Sequence, residues 1–333
     1  MTESLIERLS HYTSKTVDYF LNNLQSNGSY GTEVSDLACY FKSPMMFLAA
    51  GYDSQANHML DYIQKTFRFN GDFRTATNEK SAEQEYNEYW TYIDGWIIRA
   101  AQKLNRTDIT NSTYAYIDGY SSKNGGYLTH RIETNDDGIT DVLTTANIGF
   151  LQLEHGNIER AMQAGDYLLN VLDKQADLTN GFYLRLDKND QLITVYPSEM
   201  SWAYVVQKNE PQQAYFMLGY PIGFLTLLHE KSKEMKYLKC AKEYMNFALS
   251  CHEDIYSSTV SHKLAWSAAL LLQYDDRSKE KYFNLIERIV DSFVKQQSND
   301  GLTPGSINSS YDQSSEVAYW FLEITRILNQ QGK

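Results

Sequence analysis

An all-α fold of six helical hairpins in two concentric rings, an (α/α)6 toroid, is what this sequence predicts. Three observations predict it: a turn that recurs at hairpin-like intervals, an amphipathic helical pattern before each turn, and a nearly uniform apolar pattern after it. The turn is a glycine preceded by Asn or Asp: Asn27-Gly28-Ser29-Tyr30, Asn70-Gly71-Asp72-Phe73, Asn124-Gly125-Gly126-Tyr127, Asn180-Gly181-Phe182-Tyr183 and Asn299-Asp300-Gly301-Leu302. From glycine to glycine the steps are 43, 54, 56 and 120 residues. Self-similarity on this scale marks a repeat architecture. The last step holds two repeats, so one has lost its glycine, near Glu253-Asp254-Ile255-Tyr256. Glycine suits the end of a helix because it takes positive φ without a Cβ clash, and Asn is the next most tolerant residue.

The elements follow in order. The stretch before each turn carries charge on one face, as in Val17-Asp18-Tyr19-Phe20-Leu21 and across 286–294, the pattern of a helix with one wet side. The stretches after the turns, 34–50, 86–104, 140–153, 213–228, 260–272 and 315–328, are apolar nearly all round and must be buried. Six wet helices alternating with six dry ones give the two rings. Pro44 and Pro221 fall inside dry stretches and predict kinks or late helix starts. Strand-like alternation is confined to 182–186 and 191–195, with Asp187-Lys188-Asn189-Asp190 as a loop, so a small β-hairpin excursion is expected near 182–195. A repeat array uses length in proportion to repeat number, so residues 1–333 are expected to form a single domain.

Composition narrows the function. With 42% hydrophobic and 22% charged residues the chain is neither disordered nor fibrous. Thirty Lys plus Arg against 42 Asp plus Glu leave a net charge of -12 without a basic patch, which disfavours nucleic acid and anionic membranes as partners. The opening MTESLIERLSHYTSK mixes charges like an amphipathic helix rather than a signal peptide. No apolar run approaches the roughly 20 residues that span a bilayer. Cys39, Cys240 and Cys251 are an odd number without a CxxC pair, arguing against a disulfide framework and a zinc cluster. No P-loop, GxGxxG, HExxH or GxSxG pattern occurs. The expectation is a cytoplasmic enzyme with a small-molecule substrate, no cofactor, no metal, no nucleic acid and no membrane insertion. Contacts between outer helices leave a homodimer open.

Leu24-Gln25-Ser26-Asn27-Gly28-Ser29-Tyr30-Gly31 and Lys295-Gln296-Gln297-Ser298-Asn299-Asp300-Gly301 resemble the Gln-x-x-Asp-Gly-x-Trp repeats of terpenoid cyclases and protein prenyltransferases; Lys174-Gln175-Ala176-Asp177-Leu178-Thr179-Asn180-Gly181-Phe182 is a looser copy. The resemblance implies the toroid along most of the chain. It departs from squalene-type cyclases, which pair two barrels, and their Asp-x-Asp-Asp motif has only Thr134-Asn135-Asp136-Asp137 as counterpart, without the first Asp. The zinc site of prenyltransferases has no counterpart. Single-barrel toroids also include polysaccharide lyases, glycoside hydrolases, sugar epimerases and small natural-product cyclases such as that of the scytonemin pathway.

In a toroid the inner helices all start at one mouth, so functional polar residues should follow the turns. The candidates are Glu33, Asp36, Arg74, Tyr86, Glu88, Tyr89, Trp90, Asp136, Asp137, Asp141, Trp202, Gln213, Tyr215, His262, Trp266, Asp312 and Glu316. For catalysis we single out Asp137 with Asp136, where burial and a neighbouring charge would hold one carboxyl protonated, His262 for its titration range, and Glu316. Asp136, Asp137 and Glu316 also suit helix caps. Substrate contact falls to Asp36, Arg74, Tyr86, Tyr89, Trp90, Trp202, Tyr215 and Trp266, with Tyr86, Trp90 and Asp94 spaced by four along one helix face. The first expectation is a cofactor-independent cyclase or lyase acting on a small, largely apolar or aromatic substrate in an aromatic-lined cavity. The alternatives are a carbohydrate-active toroid enzyme with paired carboxylates and stacking tryptophans, and a non-catalytic helical scaffold with an exposed apolar patch.

Overall fold

The computed structural model describes residues 2–132 and 138–331, and each of the chain's two units is built from helical hairpins. The first unit comprises residues 1–119 and 293–333. It begins with α1 (Thr2–Asn23), whose buried Leu5, Leu9, Tyr12, Thr16 and Phe20 recur every three to four residues as a wet helix requires. A short 3-10 turn, Leu37–Cys39, precedes α2 (Ser43–Ala49), then α3 (Asp53–Phe67), a two-residue hairpin of β1 (Arg68–Phe69) and β2 (Asp72–Phe73), α4 (Gln84–Glu88), α5 (Tyr92–Lys103) and α6 (Thr107–Asp118). The last helix, α14 (Ile307–Gln331), belongs to this unit and packs between α1 and α2. Every residue of α5 from Tyr92 to Ala101 is buried, as predicted for a dry helix.

The second unit, residues 120–292, contains β3 (Thr140–Asp141), α7 (Val142–Glu154), α8 (Ile158–Asp173), β4 (Gly181–Tyr183), β5 (Arg185–Leu186), α9 (Ser201–Tyr204), β6 (Val205–Gln207), α10 (Phe216–Ser232), α11 (Met235–Leu249) and α12 (His262–Leu271). α13 (Lys279–Gln296) starts here, and its residues from Phe293 on belong to the first unit. Dry α10 is flanked by α7, α11 and α12. The repeat that lost its glycine turns through a 3-10 segment, Glu253–Tyr256, where the polar break was expected.

The turn glycines explain how one hairpin meets the next. Gly28, Gly71, Gly125 and Gly301 hold φ between 86 and 96°, a region costly for any residue with a Cβ. A Cβ at these positions would also lie 2.6–2.9 Å from the carbonyl oxygens of His58, Ser112, Gln163 and Lys15 respectively, on α3, α6, α8 and α1. Each turn is therefore pressed against the wet helix of another hairpin, and the last one sits on the first helix of the chain.

Several expectations change. Gly181 does not take positive φ; it opens β4 and lies against Val205 and Val206 of β6, where a Cβ would be crowded at 3.0–3.1 Å. The excursion near 182–195 is present, with the Asp187 N–H donating to the Gln191 carbonyl at 2.9 Å and Leu186 bridging Leu192. Its longer pairings are with other segments, β4 with β6 and β5 with β3. Stretch 34–50 starts its α-helix late, with Pro44 in the first turn of α2, while Pro221 sits inside α10 without ending it. Stretch 86–104 is split by a break after α4, so Tyr86, Trp90 and Asp94 do not share a helix face. α14 begins at Ile307, which puts Glu316 well inside the helix and removes its expected capping role. No described helix is long and apolar enough to cross a membrane.

Candidate functional site

A lone lysine inside an apolar stretch must find partners, because a buried ammonium without them costs several kcal/mol. Lys42, which precedes α2, is 2% exposed. Its partners are Asp312 and Glu316, one turn apart on α14 and hence on one face. The Lys42 Nζ lies 2.8 Å from Asp312 Oδ1 and 2.5 Å from Glu316 Oε2. Tyr86 of α4 donates its hydroxyl to Asp312 Oδ2 at 2.6 Å, and Lys42 donates to that hydroxyl oxygen at 3.2 Å. Glu316 Oε1 accepts from the Tyr92 hydroxyl and from Trp320 Nε1, both at 3.2 Å. The rings of Phe41, Tyr86 and Tyr92 lie 5.0–5.8 Å from the ammonium, close enough for cation–π attraction. All these residues belong to the first unit.

Electrostatics shift the proton affinities of these groups. Burial pushes the Asp312 carboxyl up to about 6, with Lys42 opposing and Glu316 reinforcing the shift. Glu83 is also raised, by burial first and then by Asp312 and Asp36; Glu85 is raised by burial and by Glu83. Burial alone would lower Lys42, but Asp312 and Glu316 outweigh it and raise the ammonium. An acid that titrates within about a unit of neutral pH, next to an ion pair and aromatic rings, is suited to giving and taking a proton.

Among the residues predicted for the site, Tyr86, Asp312 and Glu316 meet in this cluster. Asp36 lies close by but is engaged in local structure: Oδ1 accepts from the Ala38 N–H at 2.8 Å and the Ser81 hydroxyl at 2.7 Å, and Oδ2 from the Ala82 N–H at 2.8 Å. Arg74 and Trp90 belong to a second buried network, in which Asp72 pairs with Arg74 and Lys80, Lys80 donates to Asp94 Oδ2 at 2.7 Å, and Trp90 Nε1 donates to Asp72 Oδ2 at 3.0 Å. Burial would raise Asp72, but Lys80 and Arg74 hold it low; Asp94 is pushed well up by burial and by Asp72. Two cations against two carboxylates make this network self-compensating. Tyr89 is buried at the end of α4, its N–H on the Glu85 carbonyl.

The remaining candidates lie in the second unit or outside the described residues. Trp266 fills the notch left by Gly223 and stacks on Phe150 at 5.9 Å, which is helix packing. Tyr215 is buried at the start of α10, and burial raises its phenol. Trp202 is half-buried on α9. His262 opens α12 as expected, buried, with Nε2 3.4 Å from Lys263 Nζ. Asp141 caps α7 by accepting from the Thr144 N–H at 2.8 Å. Asp136 and Asp137 lie outside the described residues. Sequence reasoning missed Lys42, Glu83, Glu85, Tyr92 and Trp320. The available signal was a single cation in stretch 34–50 and a carboxylate pair at i, i+4 in the last dry stretch. Among the described residues no group of three or more His, Cys, Asp or Glu is placed to hold a metal ion.

No protein-family model matches the sequence, and no curated protein matches it. Solved structures do match in fold. A D-mannose isomerase is similar with a TM-score of 0.66 at 14% identity, covering 97% of each chain. An inactive variant of an α-1,6-mannanase of Salegentibacter sp. HEL1_6, with two neighbouring aspartates replaced and solved with α-1,6-mannotriose, is similar with a TM-score of 0.59 at 13% identity, covering 97% of this chain and 99% of that one. An unsaturated glucuronyl hydrolase specific for heparin gives 0.62 at 10% identity over 98% of each chain. These are (α/α)6 toroid enzymes, and the fold of this chain is the all-α toroid with small β-hairpins. The likeness supports the toroid without singling out the terpenoid cyclases.

Proposed function

We propose that this chain is a carbohydrate-active enzyme that uses Asp312 as its proton carrier. The observation that carries the reading is the Lys42–Asp312–Glu316–Tyr86 cluster: two carboxylates on consecutive turns of one helix, one of them pushed up to about 6. Paired carboxylates of unequal proton affinity are what protonation of a sugar oxygen or removal of a sugar proton requires. The rings of Tyr86 and Tyr92 border the carboxylates, stacked on each other and buried. Three similar folds, a mannose isomerase, a mannanase and a glucuronyl hydrolase, act on sugars and support the same reading.

The mannanase's inactive form replaces two neighbouring aspartates, and adjacent aspartates occur in this chain at Asp136-Asp137 and at Asp275-Asp276. Asp136 and Asp137 as acid/base candidates and His262 as a base candidate remain rivals to Asp312 rather than its partners. The cyclase reading retains one observation in its favour, the cage of Phe41, Tyr86 and Tyr92 around a buried cation. The carboxylates gathered there favour a hydroxyl-rich substrate over an apolar one. The substrate is thus a sugar, turned over without membrane or nucleic acid.

The test is turnover of D-mannose, α-1,6-mannotriose and an unsaturated glucuronyl disaccharide followed by NMR. The wild-type protein is expected to convert at least one of them, and Asp312→Asn to lower kcat by about 100-fold or more, the scale of a lost general acid or base. Full activity in the D312N variant would remove Asp312 from the chemistry.

A further inference from the structure

We propose that Lys42 is a positioning residue that favours the ionised form of both carboxylates of α14, while the extra donors on Glu316 leave Asp312 as the one that exchanges its proton. The argument is one of donors. Glu316 receives three: Lys42 on Oε2, and Tyr92 and Trp320 together on Oε1. Asp312 accepts one, from Tyr86 on Oδ2, and meets Lys42 at Oδ1 as an ion pair. Hydrogen bonds to a carboxylate favour its ionised form in proportion to their number, so Glu316 is the better satisfied anion. The two side chains also differ in access, Asp312 being 9% exposed against 5% for Glu316. The elements that carry the donors differ in length. Trp320 stands one turn further along α14 and Tyr92 begins the twelve-residue α5, whereas Tyr86 rides on five-residue α4 between two loops.

Charged and titratable groups face Asp312 from several elements. Lys42 and Cys39 face it from the segment leading into α2, Glu83 and Tyr86 from α4 and its lead-in, and Glu316 from its own helix. Glu316 disfavours its charge and Lys42 favours it, while Glu83 is itself raised by Asp312. Removing Lys42 leaves two carboxyls in one site, where like charges cannot both ionise and one must keep a proton. The donor count says which: Asp312.

This assignment rests on the acid/base reading of the site, but its test reads titration rather than turnover, so a failure of either shows separately. The carboxyl carbons of the full chain, labelled with carbon-13 at Asp and Glu, are followed by NMR from pH 4 to 9, with Asp312 and Glu316 assigned by loss of their signals in D312N and E316Q. In wild type Asp312 is expected to titrate near 6. In Lys42→Met its midpoint should rise by about one pH unit or more, as expected for loss of a contacting cation, while Glu316 keeps titrating lower. Lys42→Arg should bring Asp312 back towards the wild-type midpoint. Glu316→Gln, isosteric and with Lys42 intact, should lower the Asp312 midpoint and keeps the test open if the methionine variant does not fold. A purely structural lysine would leave the Asp312 midpoint unmoved in K42M and overturn the proposal, and a midpoint unmoved in E316Q would overturn the coupling of the two carboxylates on which it rests. A proton that settles on Glu316 in K42M would overturn the proposal too.

Discussion

Asp312 is the residue whose environment departs most usefully from its intrinsic chemistry. Its carboxyl moves from an ordinary 3.8 to about 6. The folded state then binds the proton more tightly than the unfolded chain, so the associated stability is fully present below about pH 4 and is lost as pH rises through 6. The difference, about 3 kcal/mol by linkage, is a cost of keeping an acid ready in a buried site. Urea unfolding should therefore show the stability of wild type relative to D312N falling by roughly that amount between pH 4 and 7. A constant difference across the range would mean that Asp312 titrates normally. The residue scale is also where the sequence was least legible. Lys42, Tyr86 and Glu316 are hundreds of residues apart in part, and only the buried cation at position 42 hinted that distant carboxylates must come to it. Asp36 and Arg74 carry the right chemistry for a site, yet their polar atoms are engaged by neighbouring backbone and by Asp72.

At the scale of elements, what repeats was legible and what breaks was not. The wet and dry patterns placed α1, α5, α7 and α12 closely, because burial of a whole face or a whole helix leaves a periodic trace. The break between α4 and α5 left none: the chain stays apolar across it, since burial there is set by neighbouring helices rather than by local pattern. Gly181 was misread for a related reason, as its sequence matches the other turns while its backbone is drawn into the pairing of β4 with β6. The true turn glycines carry a measurable consequence. Gly301 has both positive φ and a carbonyl 2.6 Å from a virtual Cβ, whereas Gly51 has φ 85° with open space around it. Gly51→Ala should cost only backbone strain, about 1 kcal/mol, and Gly301→Ala distinctly more, about 2–4 kcal/mol, because the turn must also move off α1. Equal losses in chemical denaturation would mean that the turn does not bear on that helix.

For the whole molecule, the toroid was readable from repeat spacing while the reaction was not. The Gln-x-x-Asp-Gly-like repeats that suggest terpenoid cyclases are features of helix ends, and helix ends serve the fold whatever chemistry it hosts. Solved sugar enzymes share the same fold over nearly the whole chain, and the carboxylate cluster gives that likeness a chemical counterpart. The central claim is that sugar chemistry takes place at Asp312. It is tested most directly by a crystal structure of the D312N variant soaked with whichever sugar the wild-type protein turns over. The account predicts a sugar oxygen within hydrogen-bond distance of the substituted side chain and of Glu316. A sugar bound away from residue 312, whether beside Asp136 and Asp137 or beside His262, would contradict it.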